Sequence, residues 1–120
     1  MKLNIKATNI VLQDSIKDYL QKKIASIEKL IKDTDGDLVK MDVELGRETN
    51  HHKTEDIFRA EINCQIGKNL LRAESRQSEL ASAIDIVKDE IVKEIKSFKG
   101  RRRTKIIAGA RKIKGEEKSQ

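Results

Sequence analysis

Two kinds of apolar repeat, and the order in which they follow one another, limit the folds open to this chain. Two longer segments, 14–32 and 79–99, repeat apolar residues every three or four positions, which is the period of an amphipathic helix. Four shorter segments alternate apolar and polar residues, as half-buried strands do, and they cover roughly residues 2–8, 38–46, 57–66 and 71–76. The sequence therefore predicts the element order β-α-β-β-β-α.

Each predicted strand has only one apolar face. In the first strand Leu3, Ile5 and Ala7 are expected to point inward and the intervening residues outward. A sheet of such strands buries one side under the two helices and leaves the other side in water. The β-α-β connection should make its two strands parallel, and the short turn at 67–69 should pair the last two strands antiparallel. The expected fold class is α+β, a four-stranded mixed sheet with two helices packed on one face.

The predicted ends of these elements depend on local signals. Asp14 or Ser15 can cap the first helix and Ser78 the second, because their side chains accept hydrogen bonds from free backbone N–H groups. The glycine within 33–37 should end the first helix, and Gly100 is expected to end the second. A loop is predicted for residues 46–56, which contain no apolar side chain.

Positive charge is concentrated near the C-terminus. Residues 1–96 contain 17 Lys or Arg and 18 Asp or Glu, whereas residues 97–115 contain eight Lys or Arg and no acidic residue. The chain as a whole carries +6. We therefore expect an anionic partner, with nucleic acid favoured over a membrane surface. The predicted domains are residues 1–100 and a flexible basic tail at 101–120, whose few isoleucines cannot form a core.

No residue pattern predicts catalysis or a metal site. His51 and His52 are adjacent in a polar loop, and no further His or Cys cluster completes a zinc site. Cys64 lies on the apolar face of a strand, which predicts a buried, inert thiol and allows no intramolecular disulfide. We expect a binding protein that is not an enzyme, with no cofactor and no small-molecule substrate. A reducing cytosol fits, and neither a secretory signal nor an apolar run of membrane-spanning length is present.

The exposed face of the predicted sheet has no aromatic side chains on which single-stranded bases could stack. Lysines lie instead on the polar faces of both helices, where they can contact phosphates without reading sequence. A solvated helix face explains the lysines of the first helix, but residues 97–115 have no acids to balance them. The expected partner is a folded, phosphate-rich surface that is recognised by its shape.

Several stretches resemble the bacterial ribosome hibernation-promoting factor family, also called ribosome-associated inhibitors. "MKLNIKATNI" is similar to that family's first strand, and "SIKDYLQKKIASIEKL" to its first helix. "RAESRQSELASAIDIVKDEIVKEIKSFKGR" is similar to its last strand and helix, with "ELASAID" in place of Asp-Met-Tyr-x-Ala-Ile-Asp. The resemblance covers residues 1–103. Since long members of the family add a second domain, the chain is expected to be a short-type factor or the first domain of a long-type one.

The resemblance implies a cytoplasmic translation inhibitor. Members bind the small ribosomal subunit between head and body, across the paths of mRNA and tRNA, so idle ribosomes are preserved under stress. The chain is then expected to be a monomer away from the ribosome and to bind no membrane. The rRNA-binding positions implied by the resemblance are basic residues in both helices and their flanks: Lys23, Lys29, Arg76, Lys93, Lys96, Lys99, Arg101, Arg102 and Arg103.

Two other interpretations remain open from the sequence. A double-stranded RNA-binding domain has a similar α-β-β-β-α core, but it places lysines at the start of its last helix, where this chain has "SELASA". A regulatory protein that binds another protein would show little dependence on salt and no association with ribosomes.

Overall fold

The computed structural model describes residues 1–32, 38–49 and 56–113, with side chains as far as residue 102. Its elements follow the predicted order β-α-β-β-β-α. The strands and helices are β1 (Lys2–Thr8), α1 (Asp14–Ile31), β2 (Val39–Thr49), β3 (Asp56–Ile66), β4 (Asn69–Gln77) and α2 (Leu80–Ile113). Residues 33–37 and His51 and His52, for which a helix end and a solvated loop were predicted, lie outside the described residues.

The four strands form one mixed sheet in the order β1-β2-β3-β4. β1 pairs parallel with β2, whereas β3 pairs antiparallel with both β2 and β4, as predicted. Gly67 adopts a φ of 61° in the turn between β3 and β4, and its N–H donates to the carbonyl of Leu38 at 2.9 Å. Glycine adopts this left-handed conformation without a steric penalty, so it suits the tight turn.

One face of the sheet forms the core together with both helices. The strand register places Met41, Cys64 and Leu71 side by side, and all three are buried. The helices cover this face with aliphatic side chains at their predicted spacing, and the buried residues of both are Leu20, Ile24, Ile27, Ile31, Ala83, Ile84, Val87, Ile91, Ile95 and Phe98. The prediction of two helices on one sheet face is confirmed.

The prediction that Leu3, Ile5 and Ala7 of β1 are all buried is wrong. Leu3 is half-buried against the core, but Ile5 remains 37% exposed and Ala7 is exposed. Leu3 and Ile5 are in register with the buried residues Met41 and Val43, so the predicted face is correct. β1 is an edge strand at the margin of the core, and alternation along a strand cannot show how far a helix covers it.

The predicted loop at 46–56 is too long. β2 continues to Thr49 and β3 begins at Asp56, and Arg47 lies 3.8 Å from Asp56 in an ion pair across the two strands. The strand ends carry only polar side chains, so the period-two signal is lost there although the backbone pairing continues.

Helix termini differ from the predicted caps. Gln13 occupies the N-cap of α1 and makes no side-chain capping bond, while its carbonyl accepts from the N–H groups of Ile16 and Lys17 at 3.0 Å. α2 begins after Glu79, whose carbonyl accepts the first helical hydrogen bond. The prediction that α2 ends at Gly100 is wrong, because its backbone remains helical to Ile113. Gly100 has no left-handed φ there, and the Arg, Lys and Ala residues that follow favour helix.

Candidate nucleic-acid interface

The two helices run parallel and are joined by polar contacts at two levels. Near their N-terminal ends Tyr19 donates a hydrogen bond to Asp85, and Lys23 Nζ lies 3.2 Å from Asp85 Oδ1. Near the end of α1, Lys99 Nζ donates to the carbonyl oxygen of Leu30 at 2.9 Å. Because the contacts occur in the same order along both helices, the C-terminal half of α1 lies beside the part of α2 between Asp85 and Lys99.

Lys23, one of the predicted rRNA-binding residues, makes intramolecular contacts. Besides Asp85 it contacts the ring of Tyr19, with Nζ 5.0 Å from the ring centroid. The hydrogen bond to Asp85 raises the pKa of Lys23, and the hydrogen bond from Tyr19 is the main cause that lowers the pKa of Asp85. The charge on Lys23 is therefore largely balanced within the fold.

Lys99 is also engaged, at the C-terminus of α1. The last carbonyl groups of a helix lack intrahelical partners and carry a partial negative charge. The bond from Lys99 Nζ to the Leu30 carbonyl oxygen satisfies one of these groups and half-buries the lysine side chain. This contact stabilises the end of α1 in addition to any role in binding.

Other predicted cations remain available on the outer surface of the helix pair. Lys29 on α1 and Lys96 on α2 are exposed and form no ion pair among the described residues. Lys93 is 74% exposed and lies 3.8 Å from Glu90 one turn earlier, a surface pair that contributes little. These three lysines form the accessible part of the predicted site, and we call them the outer lysines.

The arginines beyond Phe98 continue α2 past the core. Arg101 and Arg102 are exposed, and the Arg102 guanidinium carbon lies 5.8 Å from the centroid of the Phe98 ring. Arg103 lies within the helical backbone of α2. Together with the outer lysines, Arg101 and Arg102 place exposed positive charge near the end of α1 and in the middle of α2.

Acidic residues also lie on the helix pair. Asp14 and Asp18 lie near the start of α1 and Asp85 and Asp89 in the second and third turns of α2, while Glu28, Glu90 and Glu94 lie in the same turns as the outer lysines. Asp14 in the first turn of α1 and Lys29 in its last turn complement the helix dipole, which favours anions at N-termini and cations at C-termini. Stabilisation of the helices therefore accounts for part of the pattern, although the outer lysines extend it over a wider surface.

Arg76 does not join this surface. It lies on the polar face of the sheet, where Nε contacts Glu48 at 3.1 Å and Nη1 contacts Glu74 at 3.4 Å. The helices cover the other face, on which its neighbour Ser75 is buried. The structure thus separates the predicted site residues into two sets on opposite faces of the sheet.

An ion-pair network on the polar sheet face was missed by the sequence reasoning. Arg59 contacts three carboxylates, Glu44 at 3.6 Å, Glu61 at 2.7 Å and Glu74 at 2.5 Å. Arg72 contacts Glu61 from the other side at 2.6 Å. The alternation placed these residues on one face, but only the register shows that they meet. This balanced surface is a poor candidate for binding polyanions.

Cys64 is fully buried, and burial raises the pKa of its thiol to about 11, as expected for an inert cysteine. No cluster of three or more potential metal-ligating side chains occurs among the residues described. In the same residues, no helix is long and apolar enough to cross a membrane.

Comparison with known families identifies the fold. The family model for "Sigma 54 modulation protein / S30EA ribosomal protein" matches residues 3–103, which include both helices as far as the outer lysines and arginines. The chain belongs to this family. Within the S30EA family, a relative from Picosynechococcus named "Ribosome hibernation promotion factor" is 32% identical over 99 residues. A relative of the same name from Lactococcus lactis is 29% identical over 101 residues.

These family members are longer than this chain. The matches cover 82% and 84% of this chain but only 49% and 51% of the relatives, so the chain spans about half of their length. Two solved structures share its fold. The N-terminal domain of Thermus thermophilus Protein Y has a TM-score of 0.62 at 24% identity, and the match covers 82% of this chain and 99% of that one. A ribosomal subunit interface protein from Coxiella burnetii has a TM-score of 0.63 at 9% identity, with 83% and 99% covered.

Proposed function

We propose that this chain is a ribosome hibernation factor that binds the small ribosomal subunit through rRNA phosphates. The observation that carries the proposal is the exposed positive charge on the outer lysines and Arg101, near the end of α1 and in the middle of α2. The names of the S30EA relatives support a role in hibernation. Such a partner also places the protein in the cytoplasm.

The proposed inhibitory mechanism is steric. A chain bound in the cleft between head and body of the small subunit occupies the mRNA and tRNA path, so initiation is blocked while the subunit remains intact. No catalytic step is required, since lysine and arginine side chains only need to replace the counterions of the rRNA backbone. The helix pair, joined by polar contacts at two levels, supplies a shaped surface that suits recognition of folded RNA.

Sedimentation with purified subunits tests the proposal. We expect the chain to pellet with small subunits at low salt and to compete with mRNA and initiator tRNA. A triple variant, Lys29→Gln, Lys93→Gln and Lys96→Gln, should bind more weakly and with a salt slope reduced by about 2–3, because each phosphate contact contributes about 0.7–0.9.

A matched control removes charge from the polar sheet face. Lys6 and Lys40 are exposed there, whereas Lys2 lines the same cavity as Lys29 and is left unchanged. The variant Lys6→Gln with Lys40→Gln is therefore compared with Lys29→Gln with Lys96→Gln, which alters net charge equally. This control should retain the wild-type slope. Equal losses in the two double variants would contradict the proposed surface. Preference for duplex RNA over small subunits would instead indicate a double-stranded RNA-binding domain, and salt-independent binding would indicate a protein partner.

A further inference from the structure

We propose that Lys23 and Asp85, with Tyr19, act as a clasp that positions the two helices for binding and that Lys23 is not itself an rRNA contact. The inference rests on the proposed function and assigns a different role to one of its predicted residues. It follows from two contacts that converge on the Asp85 carboxylate of α2 and from a third contact between Lys23 and the Tyr19 ring.

The clasp geometry uses the helical repeat. Tyr19 and Lys23 are four residues apart on α1, so their side chains lie on the same face and reach Asp85 together. The Lys23 side chain is 30% exposed, and its ammonium group lies over the Tyr19 ring. Lys22 is on a different side of the helix and is exposed, with no ion pair among the described residues.

An rRNA contact by Lys23 would conflict with this arrangement. To bind a phosphate, Lys23 would have to leave Asp85, and the carboxylate would then face the same phosphate without its cation. The attraction gained would be offset by repulsion from Asp85 and by loss of the contact with the Tyr19 ring. A clasp that stays closed avoids both costs.

A second contact fixes the other end of the helix pair. The bond from Lys99 to the Leu30 carbonyl lies 11 residues beyond Tyr19 on α1 and 14 residues beyond Asp85 on α2. At the rise of an α-helix, these two contacts are separated by about 16–21 Å along the axes. Two fixed points determine both the angle and the axial offset of the helices, and hence the spacing between Lys29 and Lys96.

The variant Asp85→Asn distinguishes a clasp residue from an rRNA contact, because the two roles of Lys23 predict opposite changes in small-subunit binding. Asparagine can still accept the Tyr19 hydroxyl, but it removes the ionic partner of Lys23. If Lys23 belongs to the clasp, small-subunit binding should weaken while the salt slope stays at the wild-type value. If Lys23 contacts rRNA, the freed cation should strengthen binding and steepen the slope, and that result would overturn the proposal.

Adjacent lysines provide matched controls. Lys23→Gln should lower Tm and leave the salt slope unchanged, whereas Lys29→Gln, which loses only a favourable charge at the end of α1, should lower Tm less and reduce the slope by about 0.7–0.9. Lys22→Gln removes the same charge one residue away and should not change Tm. Lys23→Arg, which keeps the charge and its reach, should restore most of the Tm. A Lys23→Gln variant with wild-type Tm and a reduced slope would contradict the clasp.

A double-mutant cycle makes the clasp testable without ribosomes. Thermal unfolding of wild type, Lys23→Gln, Asp85→Asn and the double variant should show that the two single changes are not additive. Additive effects would overturn the clasp even if the chain binds small subunits. Failure of the wild type to bind small subunits would overturn the proposed function, while the cycle would still decide whether the clasp exists.

Discussion

Glu61 lies beneath Arg59 on the polar face of the sheet and is only 6% exposed. Its two carboxylate oxygens contact Arg59 and Arg72 at 2.7 and 2.6 Å. The strand register places Glu44, Glu61 and Glu74 in one row across three strands, an arrangement that like charges alone would destabilise. Arg59 contacts all three carboxylates and thereby allows the row to form.

We therefore expect Arg59→Ala to lower the free energy of unfolding by about 1–3 kcal/mol, because Glu61 is buried and loses a charged partner. Arg72→Ala is the matched control, since it removes the other partner of Glu61 from a side chain that is 62% exposed. Its effect should be smaller, because Arg59 contacts three carboxylates whereas Arg72 contacts one of them, from a position where water can replace its guanidinium group. Urea unfolding monitored by circular dichroism measures both, and equal effects would show that Arg59 has no central role.

Acid should weaken this network and the helix clasp together. The hydrogen bond from Arg59 lowers the pKa of Glu74, and the hydrogen bond from Tyr19 lowers the pKa of Asp85. A carboxyl whose pKa is lower in the folded state stabilises the fold above its unfolded pKa and loses that contribution as pH falls through the folded value. Since the unfolded values are about 4.3 for Glu and 3.9 for Asp, this stability should be complete at pH 6 and decline below about pH 4.5.

Substitution of Glu74 and Asp85 tests how much each carboxyl contributes to the pH dependence of folding stability. Glu74→Gln and Asp85→Asn should each be less stable than wild type at pH 7, and the difference should shrink as pH falls below 4. Urea midpoints at pH 7, 5 and 3.5 provide the comparison. Profiles that stay parallel to wild type at every pH would show that neither carboxyl is linked to folding in the proposed way.

The sequence predicts the secondary-structure order well because most of the core obeys simple periods. The stripe of Leu80, Ile84, Val87, Ile91 and Ile95 and the alternation in β2 and β3 each specify a buried face. Errors occur where the backbone continues without an apolar signal. The end of β2 carries polar residues, and the sequence beyond Gly100 does not continue the three- and four-residue spacing of the apolar stripe.

The candidate site is harder to predict from sequence than the fold. Lys22 and Lys23 are adjacent residues of the same type on α1, yet Lys22 is exposed and Lys23 forms an ion pair with Asp85. That difference depends on the position of α2, so it cannot be predicted from the sequence of α1 alone. The role of Lys99 at the carbonyl of Leu30 likewise requires the packing of the two helices.

Cys64 offers a probe of the whole fold. Because it is fully buried and its thiol pKa is raised to about 11, we expect almost no reaction with a thiol reagent at pH 8 unless the protein unfolds. Its rate of modification should then follow global stability and increase in the Arg59→Ala variant. Rapid modification of the native wild type would show that the sheet opens locally near β3, in conflict with the buried position of Cys64.

The helical backbone of α2 beyond Gly100 makes the role of the basic C-terminal segment testable. Residues 101–113 contain six Lys or Arg and no acidic residue, so helical continuation brings like charges close together. Contact with phosphates would relieve that repulsion and favour the helix. Deletion of residues 104–120 should therefore weaken small-subunit binding and reduce its salt slope, whereas a segment that acts only as a spacer would leave both unchanged.

Two single substitutions then distinguish a bound helix from an extended, flexible chain while retaining every charge. Thr104→Pro removes a helical N–H and should interrupt α2 at a cost of about 3 kcal/mol, whereas Gly100→Ala should favour the helix by about 0.5–1 kcal/mol. Gly100 has open space at the position of a Cβ, so the alanine causes no clash. If the segment binds as a helix, Thr104→Pro should weaken small-subunit binding and Gly100→Ala should strengthen it, with Thr104→Ala as the control. Equal affinity in all three variants, together with a loss on deletion, would show that the segment follows rRNA as the flexible tail predicted from the sequence.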